Sequence, residues 1–342
     1  MPAITLAPFV VAPRALHEYI ILPQFGDFVD GAGDLTPSEE EGDWMVMDDV
    51  VYQRPIMDLI GGQNILKRRD ATCKLIYSPV GKLTNRYIRT EKLYGATEDC
   101  VEEFYQGCFE DYSAENWDVF GSQIMGLMEK GLATDMYANK YFGDITRPSE
   151  STGTWSWNKF DGIFTHYARY VADGVVKSAQ TFVIPDGTLT PQQAKDALEE
   201  AYKRQDGILK VMGKADKAFY VDQDLADAYE EWLKLAGLVT INDRMNGVPG
   251  KLYYRKIEVR VKQWDGVLAA LNGGTAAHVC LLTVKGNFLF ATDKKYGGGP
   301  RRNEAIRVWW SHDDNVWRRQ FHMKGGTELV APQHSVLGLT EL

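Results

Sequence analysis

The chain has 342 residues, 44% hydrophobic, 12% aromatic and 25% charged, enough for one large domain or two to three smaller ones with a sizeable core. Its formal net charge of −9 counts against a direct nucleic-acid clamp, because phosphate affinity comes from Lys and Arg displacing counterions. No apolar run reaches the roughly 18 residues of a bilayer span, and Met1–Pro13 is apolar but lacks a basic start and contains prolines, so a cytosolic product without a membrane partner is expected.

Asp27 to Asp49 holds nine acidic residues and no Lys or Arg, with Gly31, Gly33, Pro37 and Ser38 interspersed. Such a stretch cannot bury enough apolar surface to fold alone. It is either a disordered leader or an arm ordered on a neighbouring subunit, and the anchors Trp44, Met45, Val46, Met47, Val50, Val51 and Tyr52 favour the arm. Next, Cys73–Tyr77 and Leu83–Ile88 flank the turn-like Ser78-Pro79-Val80-Gly81-Lys82, which predicts a β-hairpin. Two strands are marginal alone, so this finger needs a support.

Ser113 caps a predicted long helix to about Asn139, with Trp117, Phe120, Ile124 and Met136 on a 3.6-residue period and Gly143-Asp144 as its stop. Gly153 to Ile184 reads as β-rich, including Ile163-Phe164-Thr165 and Gln180–Ile184. A helix then starts at Thr190, with Pro191 at its first position and Gln193 completing a capping box. Its inner face is Ala194, Ala197, Leu198, Ala201 and Tyr202. After Phe219-Tyr220-Val221, Asp222 caps another helix with Leu225, Tyr229, Trp232 and Ala236 as its buried stripe and Gly237 as its end.

Strands dominate thereafter. Lys251–Val261 reads as one, and His278–Val284 and Asn287–Thr292 as a hairpin through Lys285-Gly286. Gly297–Pro300 breaks the chain. Closing strands are expected at Ala305–Trp310, Val316–Met323 and Glu328–Val330 continuing to Leu337, with turns at His312–Asn315 and Lys324-Gly325-Gly326. Helices and strands come in separate runs, so the fold class is α+β.

No complete catalytic signature is present. Gly247–Leu252 has the look of a phosphate loop, but Leu252 stands where a hydroxyl must hold magnesium, so it reads as a turn. His312-Asp313-Asp314 reads as a polar hairpin tip rather than a metal site. Cys73, Cys100, Cys108 and Cys280 form no CxxC pair and read as reduced, buried thiols. No catalytic, cofactor-binding or metal-binding residue is assigned, and no cofactor is expected.

Several phrases resemble one family in their order. They are Tyr141-Phe142-Gly143-Asp144, Lys159-Phe160-Asp161-Gly162-Ile163, Leu189-Thr190-Pro191, Ala218-Phe219-Tyr220-Val221-Asp222, Gly286–Asp293 and the terminal Val330–Val336. Over roughly residues 70–340 the chain resembles the major capsid proteins of tailed bacteriophages, the Hong Kong 97-type fold. Asp222 stands where that family usually has Ser, and Ala291 where it usually has Gly. The resemblance implies an N-terminal arm over 1–70 and an extended β-hairpin loop, the E-loop, over 71–91. It implies a peripheral P-domain over 92–160 and 300–342, with a spine helix at about 113–139. An axial A-domain would span 161–299. Lys74, Lys82 and Lys92 lie in or near the loop through which one class of the family crosslinks its subunits; no partner Asn can be placed, and no crosslink is assigned.

By the same resemblance, the partners are many copies of the chain as hexamers and pentamers, with scaffold, portal and decoration proteins besides. The shell would enclose double-stranded DNA without sequence-specific binding, a role an acidic wall tolerates. The location would be the virion, after synthesis in the host cytoplasm. The rival readings are an encapsulin-like compartment shell, another virion component, and an α+β enzyme whose site assembles only in space.

Overall fold

The computed structural model describes residues 18–21, 43–47, 49–61, 81–100, 131–147, 157–237, 252–292, 306–311 and 316–340. Strand β7 (Lys217–Asp222) is buried along its whole length, which requires cover on both faces of its sheet. Its side chains alternate accordingly. Ala218 and Tyr220 enter one core and Phe219 and Val221 the other, the two-residue period of a strand. The sheet runs β6 (Thr181–Val183), β14 (Ser335–Leu339), β10 (Val279–Val284), β7, β9 (Ile257–Lys262), β8 (Leu252–Tyr254). On its Phe219 face lie α3 (Pro191–Lys203) and α5 (Gln223–Leu235), whose buried Leu198 and Leu225 meet Cys280, Leu282 and Val336.

The second sheet runs β1 (Glu18–Ile21), β12 (Ile306–Ser311), β13 (Val316–Leu329), β11 (Phe288–Ala291), β2 (Trp44–Met47), and β5 (Glu91–Cys100) also pairs with β13. Between the sheets lies an aromatic core. It takes Tyr137 and Tyr141 from α1 (131–142), Phe164 and Tyr167 from α2 (Ile163–Ala172), and Phe288 and Leu329 from the second sheet. Trp264 precedes the short α6 (Asp265–Leu271) and sits edge-on to Tyr141, ring centroids 4.9 Å apart. A short helix, α4 (Gly207–Val211), follows α3 and is capped by Asp206. The last pair, β3 (Gln53–Gly61) and β4 (Gly81–Arg89), forms a two-stranded finger.

The capping signals are obeyed. Thr190 Oγ1 accepts from the Gln193 amide at 3.3 Å, while Gln193 Oε1 accepts from the Thr190 amide at 2.8 Å. Asp222 accepts from the Leu225 amide at 3.1 Å to open α5. Gly237 closes that helix at φ 68°, a backbone that favours glycine. Leu233 is buried where the period suggested Ala236. Replacing Thr190 by Ala is expected to lower stability by about 1 kcal/mol in chemical denaturation. A loss below a few tenths would show that the cap is redundant.

Four expectations are corrected. Ile163-Phe164-Thr165 is helical, the start of α2, not a strand. Ile163, Phe164 and Tyr167 are all buried at helical spacing, and a short apolar run does not distinguish the two periods. His278–Val284 and Asn287–Thr292 form no hairpin: β10 pairs with β7 and β14, whereas β11 pairs with β13 and β2. The Lys285-Gly286 turn, with Gly286 at φ 73°, carries the chain from one sheet to the other. Lys324-Gly325-Gly326 is no turn, since β13 runs through it unbroken. The strand expected over Lys251–Val261 is, from Leu252 on, two strands, β8 and β9, around a turn at Arg255 and Lys256, both at positive φ of 50° and 69°.

The crossing from β10 to β11 and the return from β13 to β14 are pinned to each other. The Asn287 carbonyl accepts from the Val330 amide at 2.9 Å, and its side-chain Oδ1 from the Ala331 amide at 2.6 Å. Asn287 Nδ2 donates to Thr283 Oγ1 at 2.8 Å, and Tyr167 donates to Ser335 Oγ at 2.7 Å. Burial pushes the Tyr167 hydroxyl up to about 12. Two buried strands, β10 and β11, thus lie in different sheets, and a polar network fixes where they part.

Of the long helix expected over 113–139, residues 131–142 are described, and its stop at Gly143 is observed. A Cβ on Gly143 would lie 2.0 Å from the Phe160 carbonyl oxygen, so this stop is also a close backbone crossing. Residues 113–130, the stretch 62–80 with Lys74, the Gly247–Gly250 segment, His312–Asn315 and Gly297–Pro300 lie outside the described residues.

Candidate assembly site

The segment read as a leader or arm reaches the chain's own body. β2 pairs in parallel with β11, Trp44 opposite Phe288, and Trp44 Nε1 donates to the Tyr141 hydroxyl at 3.1 Å. Just before it, Asp43 is fully buried. Its carboxylate accepts from Arg260, from Lys262 Nζ at 2.5 Å and from the Tyr220 hydroxyl at 3.0 Å. Glu258 in turn holds Arg260 Nε at 3.2 Å and Lys285 Nζ at 2.6 Å. Burial, then the charge of Asp43, pushes the Tyr220 hydroxyl well up. Against the downward pull of burial, Asp43, Tyr220 and Glu258 raise Arg260 further. The network joins residues before β2 to β7 and β9, so it ties one sheet to the other.

The finger is anchored at its base. β4 pairs with β3, not with the expected Cys73–Tyr77, which lies outside the described residues. Ile56 and Ile88 pack with Val50 against Leu289 and Ala291. The Arg86 guanidinium donates to the Leu329 carbonyl at 2.7 Å, to the Val330 carbonyl, and to the Tyr170 hydroxyl at 3.3 Å. Tyr170 donates to Glu328 Oε1 at 2.8 Å, and burial together with that charge pushes its hydroxyl up to about 12. At the strand junction, Thr90 donates its amide to the Tyr52 carbonyl at 3.0 Å.

Around this base the surface changes character. Tyr52 is 68% and Tyr94 74% exposed, with Val51 and Tyr87 also exposed. Tyr94 lies on β5, which bonds β13 along one side and meets no other strand among the described residues. Among the described residues this ten-residue strand has one free edge, and such an edge can pair with another chain. The exposed Glu91, Lys92 and Glu98 guard it against indiscriminate pairing. Exposed aromatic rings beside an open edge suit a protein partner better than a small ligand.

The remaining residues marked in the sequence are scattered. Cys280 is buried, its thiol pushed up by burial and then by Asp222. His166 lies 3.8 Å from Glu328, and His334 lies 3.2 Å from Asp206. His322 is exposed on β13. Among the described residues no three His, Cys, Asp or Glu side chains are placed to hold a metal ion, and no helix is long and apolar enough to cross a membrane. Sequence reasoning missed the Asp43–Arg260–Lys262 cluster. Its only trace was an acid in the leader and charged residues on alternate positions of β9, where Glu258, Arg260 and Lys262 interleave with Ile257, Val259 and Val261.

No family model and no curated protein sequence matches the chain. Solved structures do. A chain of the satellite phage P4 procapsid, which includes the size determination protein, aligns with a TM-score of 0.52 at 9% identity, over 86% of this chain and 92% of that one. The capsid of the Myoviridae phage XM1 aligns at TM-score 0.48 and 13% identity over 100% of both chains. The holo-SrpI encapsulin complex from Synechococcus elongatus aligns at 0.45 and 9%, over 87% and 84%. The arrangement of sheets, helices and finger described above is therefore an α+β fold of the phage capsid-protein kind.

Proposed function

We propose that the chain is a shell subunit, the major capsid protein of a tailed-phage head, whose copies enclose double-stranded DNA. The observation that carries this reading is the fold likeness to the P4 procapsid chain, which extends over nearly the whole of both. The open β5 edge and the exposed tyrosines at the finger base support it, because a shell subunit does its work through interfaces and performs no catalysis. Closed shells repeat the same contacts between many copies. Obligate interfaces of that sort bury ~2,000 Å² or more. Hexamers and pentamers of the chain would be the building units, in the virion after synthesis in the host cytoplasm, with scaffold, portal and decoration proteins as further partners.

In this reading β3 and β4 belong to the E-loop, whose first strand at Gln53–Gly61 then precedes the 71–91 expected from the resemblance. The spine helix and the β13 sheet belong to the P-domain, and the β7 sheet to the A-domain. Two strands cross a division placed near residue 300. β11 lies in the β13 sheet, and β14 lies in the β7 sheet.

Purified full-length protein is expected to form closed particles or rings of many copies, seen by electron microscopy and sedimentation. A stable monomer at high concentration overturns the reading. Particles filled with a cargo enzyme would transfer it to the encapsulins. Replacing residues 62–80 by a short Gly-Ser linker keeps the fold and impairs assembly. Deleting 71–91 instead would remove the core residue Ile88 and the anchor Arg86, so it does not test this.

A further inference from the structure

We propose that His278 is a proton-dependent latch, held as an imidazolium between the Asp222 carboxylate and the Gly187 carbonyl, that fastens the loop leading into α3 to the central sheet. The ring is fully buried. Its Nδ1 lies 2.8 Å from Asp222 Oδ2 and its Nε2 2.7 Å from the Gly187 carbonyl oxygen. Toward the ring the Gly187 carbonyl and an ionised Asp222 carboxylate can only accept. A carbonyl has no hydrogen to give, and the two Asp222 oxygens already accept the amides of Val279 at 2.8 Å and Leu225 at 3.1 Å. A neutral imidazole carries a single N–H, so one of the two short contacts would set lone pair against lone pair. With Asp222 ionised, only the doubly protonated ring fits both.

The surroundings favour the cation. Asp222 faces the ring from the end of β7 and Asp224 from the first turn of α5. Asp265 of α6 accepts the Gln223 and Asp224 amides at 3.3 and 3.2 Å, and burial followed by the nearby aspartates raises its carboxyl. Cys280, next but one along β10, is a buried thiol raised in the same way. Just after β14 comes Thr340, uncharged, and in the Gly187 loop Asp186 is exposed. Burial acts to lower the imidazole, but the hydrogen bonds to Asp222 and Gly187 and the Asp222 charge outweigh it, and the net shift is upward from 6.5.

The consequence of deprotonation falls on the loop. The His278 backbone is bonded to Thr340 in both directions, at 2.9 and 3.0 Å, so the strand end cannot follow the ring. Gly187, at φ 78°, donates its amide to the Ala276 carbonyl at 2.9 Å. Its carbonyl is the side that would lose a partner. Three residues on begins the Thr190–Gln193 capping box. Because the folded-state value is raised, the latch contributes fully below the unfolded value near 6.5. Its contribution is lost as pH rises through the folded value, with the folding constant falling about tenfold per pH unit between the two. This device does not depend on the shell reading.

The test compares the full chain with His278→Gln by chemical denaturation from about pH 6 to 10, alongside amide exchange over residues 184–190. The wild type is expected to lose stability on the alkaline limb with a one-proton slope, and the variant to lose that slope. Equal slopes in both proteins overturn the proposal. If the variant does not fold, wild-type exchange decides. Protection of the Gly187 amide, corrected for intrinsic rate, should fall about tenfold per pH unit above the imidazole's ordinary range. Protection that stays constant overturns the proposal.

Discussion

Asp43→Ala is expected to cost about 3–5 kcal/mol of folding stability, the loss typical when one partner of a buried ion pair is removed. Asp43 is fully buried, and both cations it faces, Arg260 and Lys262, are buried as well. Glu258 is divided between Arg260 and Lys285. Without Asp43 the described members of the cluster are three cations and one anion, and Arg260 and Lys262 are both buried. Asp43→Asn should cost nearly as much, because the amide keeps the shape but not the charge. The combination Asp43→Leu, Arg260→Met, Lys262→Met should recover most of the loss, since well-packed apolar groups replace such clusters at little cost. Urea denaturation of the four proteins checks this. An Asp43→Ala loss below 1 kcal/mol would show that the segment before β2 is not tied to the β7 sheet through this charge.

The second large effect belongs to a glycine. Gly326→Ala is expected to cost about 3 kcal/mol or more, because its Cβ would lie 1.9 Å from the Arg89 carbonyl oxygen and 3.0 Å from the carbonyl carbon. The obstacle is backbone, so no rotamer relieves it. Either β13 or the β4–β5 junction must move, and that junction is held by Thr90, whose amide and hydroxyl bond the Tyr52 and Val50 carbonyls. Gly131→Ala is the control. It lies in α1 with nothing within 4 Å of its Cβ, and the change should stabilise by up to about 1 kcal/mol. Thermal or chemical melts of both variants give the answer. A harmless Gly326→Ala would restore the turn that the Gly-Gly pair suggests when read alone.

What was legible and what was not differ in range. The capping box at Thr190, the Asp222 cap and the Gly237 stop involve groups within a few residues of one another, so spacing alone identifies them. Strand β12 and the start of β13 were legible for the same reason, and Ser311 does face Val316. Ile163-Phe164-Thr165 failed because three residues hold no complete period. The hairpin at Lys285-Gly286 failed because a turn residue records that the chain bends, not which strand lies beside it afterward. Trp264 and α6 were missed altogether. The core that buries them is assembled from residues as far apart as Tyr141 and Leu337.

By itself the sequence determined the class of fold, the ends of its well-capped helices and the alternation of its buried strands, together with a resemblance in the order of elements that the fold of the P4 procapsid chain supports. These rest on local backbone preferences and on periodicity, which act between neighbours. Only the tertiary structure decided that Asp43 neutralises Arg260 and Lys262, that His278 bridges Asp222 and Gly187, and that Gly326 makes room for Arg89. Each of these is a matter of distance between parts of the chain that are mostly remote in sequence. Burial, by removing water, turns such proximity into a strong charge pairing or a strict steric limit.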